Sequence, residues 1–522
     1  MTAAASPAED AGKGASPGAA PQAPPHEGVR LAIVVAVVLS AVLEVLDTTI
    51  VNVALPHIRS AFGATSDQVT WVLTSYIVAS VVMMPLTGFL TRRIGRRRLI
   101  LTAISGFAVL SVLGGLSWSL ASMVAFRLGQ GIFGAFLIPL SQSILFDAFP
   151  REKRGQAMAM FGLGVVVAPV LGPTLGALLT EYYSWRMVFF VNLPIAGFAL
   201  LMLAGELPRD TPQKLAIDWT GLGLMALGVG ALQFVLDQGE QLDWFASHML
   251  QVSAVIAAIG LVAFVRHALK RGRDSVVDLT LFGDRNFMAA TLIISGFAVA
   301  MFGGIAILPT FVQGLLGYPV IASGELFIPR GLAGGVSMVL TGAVLVPRVD
   351  ARLLALAGLA LTGVSNLMLG GLTMQADFWS IARPGIVAGL GMGLVFVPLS
   401  TLAFDRVSSE RQNDASGLYG LTRQLGSSVG IAVVASQVVR QAAIQGQILG
   451  THVTAFNGAT AAYLAPLGLS ATEPKGLAVL GNLVSQQASL NAYTHVFTAL
   501  GWLSFALIPL LLLARKPGGA PA

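Results

Sequence analysis

The chain has 522 residues, 55% hydrophobic and only 11% charged, with a formal net charge of +6. A soluble protein of this length carries roughly a quarter charged residues, and one apolar core stops growing beyond about 250–300 residues, so lipid must take up the surplus. Composition therefore argues against a soluble enzyme or nucleic-acid-binding protein. The basic excess fits cytoplasmic loops enriched in Lys and Arg, and without cysteine neither disulfides nor thiol chemistry contribute.

Residues 1–28 are rich in Ala, Pro and Gly and read as a disordered cytoplasmic tail. They lack the short apolar stretch and small-residue cleavage site of a signal peptide, so the first span is expected to stay in the mature protein. Apolar runs of the roughly 20 residues that cross a bilayer follow near 30–54, 68–90, 98–118, 121–147, 157–181, 186–205 and 217–237. Seven more lie near 248–268, 288–310, 320–346, 352–372, 380–404, 415–440 and 493–514. The expected fold is an all-α polytopic membrane protein of 14 transmembrane helices with both termini cytoplasmic. With that orientation, Arg59, Arg186, Arg383, Arg440 and Lys475 fall outside, Arg127, Arg330 and Arg423 are embedded, and the other Lys and Arg lie inside. A miscounted helix would scramble this bias.

The chain also repeats itself. MPLTGFLTRRIGRRRL (84–99) matches MVLTGAVLVPRVDARL (338–353), and IPLSQSILFD (138–147) matches VPLSTLAFD (397–405). Spans 2 and 4 thus correspond to spans 10 and 12 in the same orientation, a parallel repeat of six helices. The expected organisation is a first bundle over 29–206, two inserted helices with their loops over 207–287, and a second bundle over 288–515. The second bundle includes a long outer loop, 441–492, whose partly amphipathic pattern (AAIQGQIL, TAAYLAPLGL, KGLAVLGNLVSQQ) suggests short helices near the membrane surface, and a cytoplasmic tail follows at 516–522.

Several stretches resemble a known family. GFLTRRIGRRR (88–98) resembles the helix 2–3 loop motif of the major facilitator superfamily, with Gly88, Arg93, Gly95 and Arg96 in place and Arg92 where an acidic residue is usual. That replacement puts any latch built on the usual carboxylate in doubt. RLGQGIFGA (127–135) resembles the helix-4 motif, and APVLGPTLGA (168–177), with Pro169, Gly172, Pro173 and Gly176, resembles the helix-5 motif of proton-driven exporters. LDTTIVNVALP (46–56) resembles the helix-1 motif of the fourteen-helix drug:proton antiporters. SWRMVFFVNLPIAG (184–197), LDQGEQLDWF (236–245) and RQLGSSVGIA (423–432) resemble the EmrB/QacA type, closest to its EmrB-like side. The resemblance implies a gating role for helix 5 and a hinge strap in the helix 2–3 loop. It also implies docking of loop 441–492 to a periplasmic EmrA-like adaptor that continues to an outer-membrane channel; a plain ordered loop is the alternative.

Carboxylates in hydrocarbon are costly and usually functional. Asp47 and Arg127 lie at similar depth on antiparallel helices, so an ion pair between them is expected. Asp47 should ionise beside Arg127 and take up a proton when desolvated without it. Glu44, one turn away, is expected to tune Asp47 or to greet cationic substrates. The alternative is a structural ion pair that only fixes packing. Tyr76, Gln130, Gln142, Gln313 and Tyr419 are read as cavity polar groups, and Glu325 either faces the cavity or lies near headgroups. Glu325 and Arg330, five residues apart, are not expected to pair, and Arg423 reads as a packing or gating residue ahead of a binding one.

No GxxxxGK[ST] phosphate loop occurs, and neither a metal-ligand cluster nor a nucleophile–base motif marks an enzyme, so secondary transport without a cofactor is expected. The expected activity is proton-coupled export of hydrophobic or cationic drugs from a bacterial inner membrane. A dedicated metabolite exporter or a proton-coupled symporter is the alternative, and a membrane enzyme or sensor a third class.

Overall fold

The computed structural model describes residues 27–150, 153–208, 212–213, 215–454 and 457–515, so most of the two expected tails lies outside the described residues. Among the described residues, fourteen helices are long and apolar enough to span a membrane: α1 Leu31–Phe62, α2 Asp67–Ile94, α3 Arg96–Gly115, α4 Leu120–Ala148, α5 Arg154–Tyr182, α6 Met187–Glu206 and α7 Trp219–Gln238. They continue as α8 His248–Asp274, α9 Arg285–Leu315, α10 Ala322–Leu345, α11 Ala351–Gly370, α12 Phe378–Phe404, α13 Ser409–His452 and α14 Pro474–Leu513.

The packing partners recur in two sets. In the first six helices α1 packs on α5 and α6, and α4 on α2 and α3; in the last six α9 packs on α13 and α14, and α12 on α10 and α11. The two sets meet through α5 with α10 and α12, and through α13 with α2 and α4. The duplicated sequence segments face each other at this seam, where Phe146 packs on Phe404 with ring centroids 4.7 Å apart. Ser416 Oγ donates to the Pro139 carbonyl at 2.7 Å, which holds the inner ends of the sets together.

The inserted pair sits at the flank. α7 packs on α8, α2 and α13. Trp71 stacks on Phe234, Asp237 accepts from Thr74, and Gln233 Nε2 donates to Ser428 Oγ at 3.0 Å. The insert therefore touches both sets. At its inner end Asp218 caps α7 through the Gly221 amide and accepts from His267 at 2.9 Å and Arg271 at 3.0 Å on α8.

Residues 441–492, expected as an outer loop with short helices, are largely the ends of two long helices. α13 continues through His452 and α14 begins at Pro474, with a short helix, Gly458–Leu464, and a 3-10 turn, Ala465–Leu467, between them. At 1.5 Å per residue, the 44 residues of α13 extend about 66 Å, roughly twice the hydrocarbon thickness. The two helices pack on each other along this extension, where Asn491 Nδ2 lies 3.4 Å from Gln445 Oε1. The polar residues that read as a loop are the surface of a helical extension.

Candidate proton and substrate sites

Local sequence makes α4 approach α2 closely. A Cβ at Gly131 would lie 2.3 Å from the Tyr76 carbonyl, so only glycine permits this contact. The approach lets Arg127 Nε donate to the Val72 carbonyl at 3.1 Å, while Nη1 donates to Asp47 at 2.5 Å and to Gln130 at 2.8 Å. Both Asp47 and Arg127 are fully buried. The second Asp47 oxygen accepts from Gln130 Nε2 at 3.0 Å and Asn192 Nδ2 at 2.8 Å. The Tyr76 ring packs 4.3 Å from the guanidinium carbon, a cation–π contact. The expected pair is present, and it belongs to a network drawn from α1, α2, α4 and α6.

The structure moves two residues away from the cavity. Gln130 bonds to both members of the ion pair, and Tyr76 packs under Arg127. Their side chains project from the helix sides that face the interior of the first set. Asn192 escaped sequence reasoning. Its signal was an uncharged polar residue inside the apolar run VFFVNLP, and Ser111 fixes its amide from behind at 3.1 Å.

Glu44 has a different neighbourhood. α4 breaks after Gly134 and resumes at Leu137, which leaves free amides at the new helix start. The Ile138 amide donates to Glu44 Oε2 at 3.3 Å, so the side chain caps this half-helix. Ile138 also lines an enclosed cavity at the seam, with Gln142, Ser400, Tyr419 and Arg423. The cavity holds about 30 Å³, room for one or two water molecules. Of the expected cavity groups, Gln142 and Tyr419 lie there, together with Arg423, which sequence assigned first to packing or gating.

Gln313 and Glu325 lie elsewhere. Gln313 Nε2 donates to Ser323 at 3.1 Å in a short π-turn ending α9, and Glu325 is exposed at a helix break in α10. Neither lines the cavity, because both precede the part of α10 that packs along the seam. Glu325 and Arg330 form no ion pair among the described residues, as their spacing predicts.

Helix α5 carries Pro169 and Pro173 within its helical run. A Cβ at Gly172 would lie 2.0 Å from Thr49 Oγ1, and one at Gly176 3.0 Å from the Ile50 carbonyl. This half of the motif therefore seats α5 on α1 within the same set, next to Asp47. The contact with the other set is made lower down, where Gly162 faces Met338 and Gly155 faces Gly342. A separate apolar cavity of about 510 Å³ lies along the α5–α10 flank, lined by Leu163, Val167, Leu332 and Val336 among others.

With this geometry in hand, comparison with known proteins finds that residues 37–431 match the family model described as Major Facilitator Superfamily. The chain belongs to the Major Facilitator Superfamily. It is 36% identical over 481 residues to the fatty acid resistance protein FarB of Neisseria gonorrhoeae, covering 91% of this chain and 94% of that protein. It is 33% identical over 483 residues to the multidrug export protein EmrB of Escherichia coli strain K12, covering 92% and 94%. These relatives place it on the EmrB-like branch. Among solved structures, the human organic anion transporter MFSD10 superposes with a TM-score of 0.63 at 18% identity, covering 92% of this chain and 99% of that one, which supports the fold alone. A major facilitator protein is a transporter rather than an enzyme.

In this superfamily member the helix 2–3 loop motif is reorganised. Gly95 closes α2 with φ of +90°, a backbone region glycine enters freely. Arg92 forms an ion pair with Asp414 of α13, and Arg96 forms one with Asp147 at the end of α4. Arg93 reaches the Leu215 carbonyl at 3.3 Å. A Cβ at Gly88 would overlap the Asp414 carboxylate, so glycine makes room for it. The contact between the sets at this end thus includes a carboxylate, Asp414 of the second set, paired with Arg92.

Proposed function

We propose that this protein is a proton-coupled exporter of hydrophobic or amphipathic toxic compounds in a bacterial cytoplasmic membrane, with Asp47 as the proton carrier and Arg127 as the group that sets its affinity. The observation that carries the reading is the fully buried Asp47–Arg127 pair on the helix against which the glycines of α5 are seated. When the sets rock and α1 shifts against α4, Asp47 loses the guanidinium and takes up a proton; when the pair reforms, the proton leaves. Each charge moved contributes about 2.3 kcal/mol per 100 mV. The names of FarB and EmrB, a fatty acid resistance protein and a multidrug exporter, support the substrate breadth. Gly88, Arg92, Arg93, Gly95 and Arg96 form the inner strap, and Pro169, Gly172, Pro173 and Gly176 the gating helix.

Everted vesicles containing a pH reporter, challenged with a panel of cationic and neutral toxicants, test this reading. Drug-dependent proton release is expected from wild type and should be lost in Asp47→Asn. Coupling at the wild-type level in that variant would reduce the pair to a packing device. The α13–α14 extension is proposed as the dock for a periplasmic adaptor leading to an outer-membrane channel. Deleting 457–470 should abolish adaptor co-purification while leaving transport in proteoliposomes intact, and undiminished retention would remove the docking role.

A further inference from the structure

Arg423 is the one guanidinium on the wall of the central cavity. Arg127 directs Nε and Nη1 at a backbone carbonyl, Asp47 and Gln130 and leaves Nη2 without a partner among the described residues, whereas Arg423 donates no hydrogen bond to any described residue and forms no ion pair among them. Beside it, the Tyr419 hydroxyl and Gln142 Oε1 are buried without a hydrogen-bond partner among the described residues. Buried polar groups are normally satisfied, so a cluster of unsatisfied ones around an enclosed space points to a ligand. Phe161, Met338, Met392 and Phe396 complete the wall with flexible apolar surface.

We propose that Arg423 is the anion-binding residue of this cavity and receives the carboxylate head of an amphipathic acid, with the Tyr419 hydroxyl as second donor and the Met and Phe side chains against its chain. This assignment rests on the exporter reading above and names a substrate class for it. Arginine suits the task because its planar fork matches a carboxylate in two-point geometry. In the closed form described here the space admits only water, so the head subsite becomes accessible as the sets part.

Glu44 is the built-in competitor. It faces Arg423 across the seam and acts on it electrostatically without forming an ion pair. The other groups that face Glu44 are Asp47 on its own helix, Tyr76 from α2 and the Ile138 amide from α4. An ionised Glu44 repels an incoming carboxylate and shares the Arg423 charge, whereas a neutral one leaves the guanidinium to the ligand. Carboxylate binding therefore tightens as pH falls, and Glu44→Gln fixes the tight form.

The test uses the full chain in nanodiscs, titrated calorimetrically with dodecanoate and with dodecyltrimethylammonium at pH 6 and pH 8, with empty nanodiscs subtracted. Wild type should bind dodecanoate more tightly at pH 6. Arg423→Gln should weaken dodecanoate by about tenfold or more, the size of a lost charge-assisted contact, and change the ammonium ligand less than about twofold. Arg423→Lys, which keeps the charge and guards against a folding defect, should lose less. Glu44→Gln should tighten dodecanoate and remove its pH dependence. Unchanged dodecanoate binding in Arg423→Gln, equal loss of both ligands, or an unaltered pH response in Glu44→Gln would each overturn the proposal. Wild type that binds the ammonium alone would overturn it while leaving the exporter reading standing; binding of neither would sink both.

Discussion

Arg92, at the inner end of α2, is ion-paired with Asp414, at the inner start of α13, and this contact joins the two sets of helices where they close. Asp414 is only 2% exposed, against 24% for Arg92, so removing the arginine strands a buried charge. Such a loss costs about 3 kcal/mol or more, enough to shift a two-state equilibrium more than a hundredfold. Arg92→Ala is therefore expected to populate the form open at the inner side. The double variant Arg92→Asp with Asp414→Arg should restore closure. Because the chain has no cysteine, paired cysteines introduced across the inner seam would report the distance by spin labelling; an unchanged distance in Arg92→Ala would remove the latch.

Asn192 and Gln130 both donate to the Asp47 carboxylate, and each such bond to a charged group is worth about 1.5–3 kcal/mol. Replacing Asn192 by Leu should lower drug-driven proton exchange across its pH profile, with substrate binding retained. A profile superimposable on wild type would place Asn192 outside the network's energetics.

The α1–α5 contact depends on atoms rather than on smallness in general. Gly172→Ala places a methyl group on Thr49 Oγ1, and overpacking of this kind costs about 1–3 kcal/mol. Lower thermal stability and reduced transport are expected. Thr49→Ala in the same chain should recover most of the loss, since it removes the clashing oxygen, and failure to rescue would mean the clash is not the cause.

At the inner end of the insert, burial pushes the Asp218 carboxyl up, but the Gly221 amide, His267 and Arg271 outweigh it, and its pKa is lowered from the usual carboxylate range. A carboxylate lowered on folding contributes stability that is present above its unfolded pKa and lost as pH falls through the folded value. The α7–α8 junction should therefore loosen below about pH 4. Hydrogen exchange at 216–224 should rise there in wild type. In Asp218→Asn it should already be raised at neutral pH and change little on acidification.

Spans and repeat were legible because hydrocarbon thickness constrains sequence directly. The Asp47–Arg127 pair was legible from depth alone. Depth says nothing about rotation, however, so Gln130 and Tyr76 read as cavity residues although their helix faces turn inward. Asp414 lay at the edge of a loop as hydropathy draws it, and only the helical start of α13 brings it under Gly88. Hydropathy measures affinity for lipid, not helicity, which is why the polar continuations of α13 and α14 read as an outer loop with short helices rather than as parts of two long ones.

The placement of α7 makes the two flanks of the seam unequal. On one side α7 bridges α2 and α13 like a shutter, while on the other α5 and α10 meet with an apolar recess between them. A compound approaching sideways would thus meet packed helix on the α7 side and an apolar recess on the α5–α10 side, among the described residues.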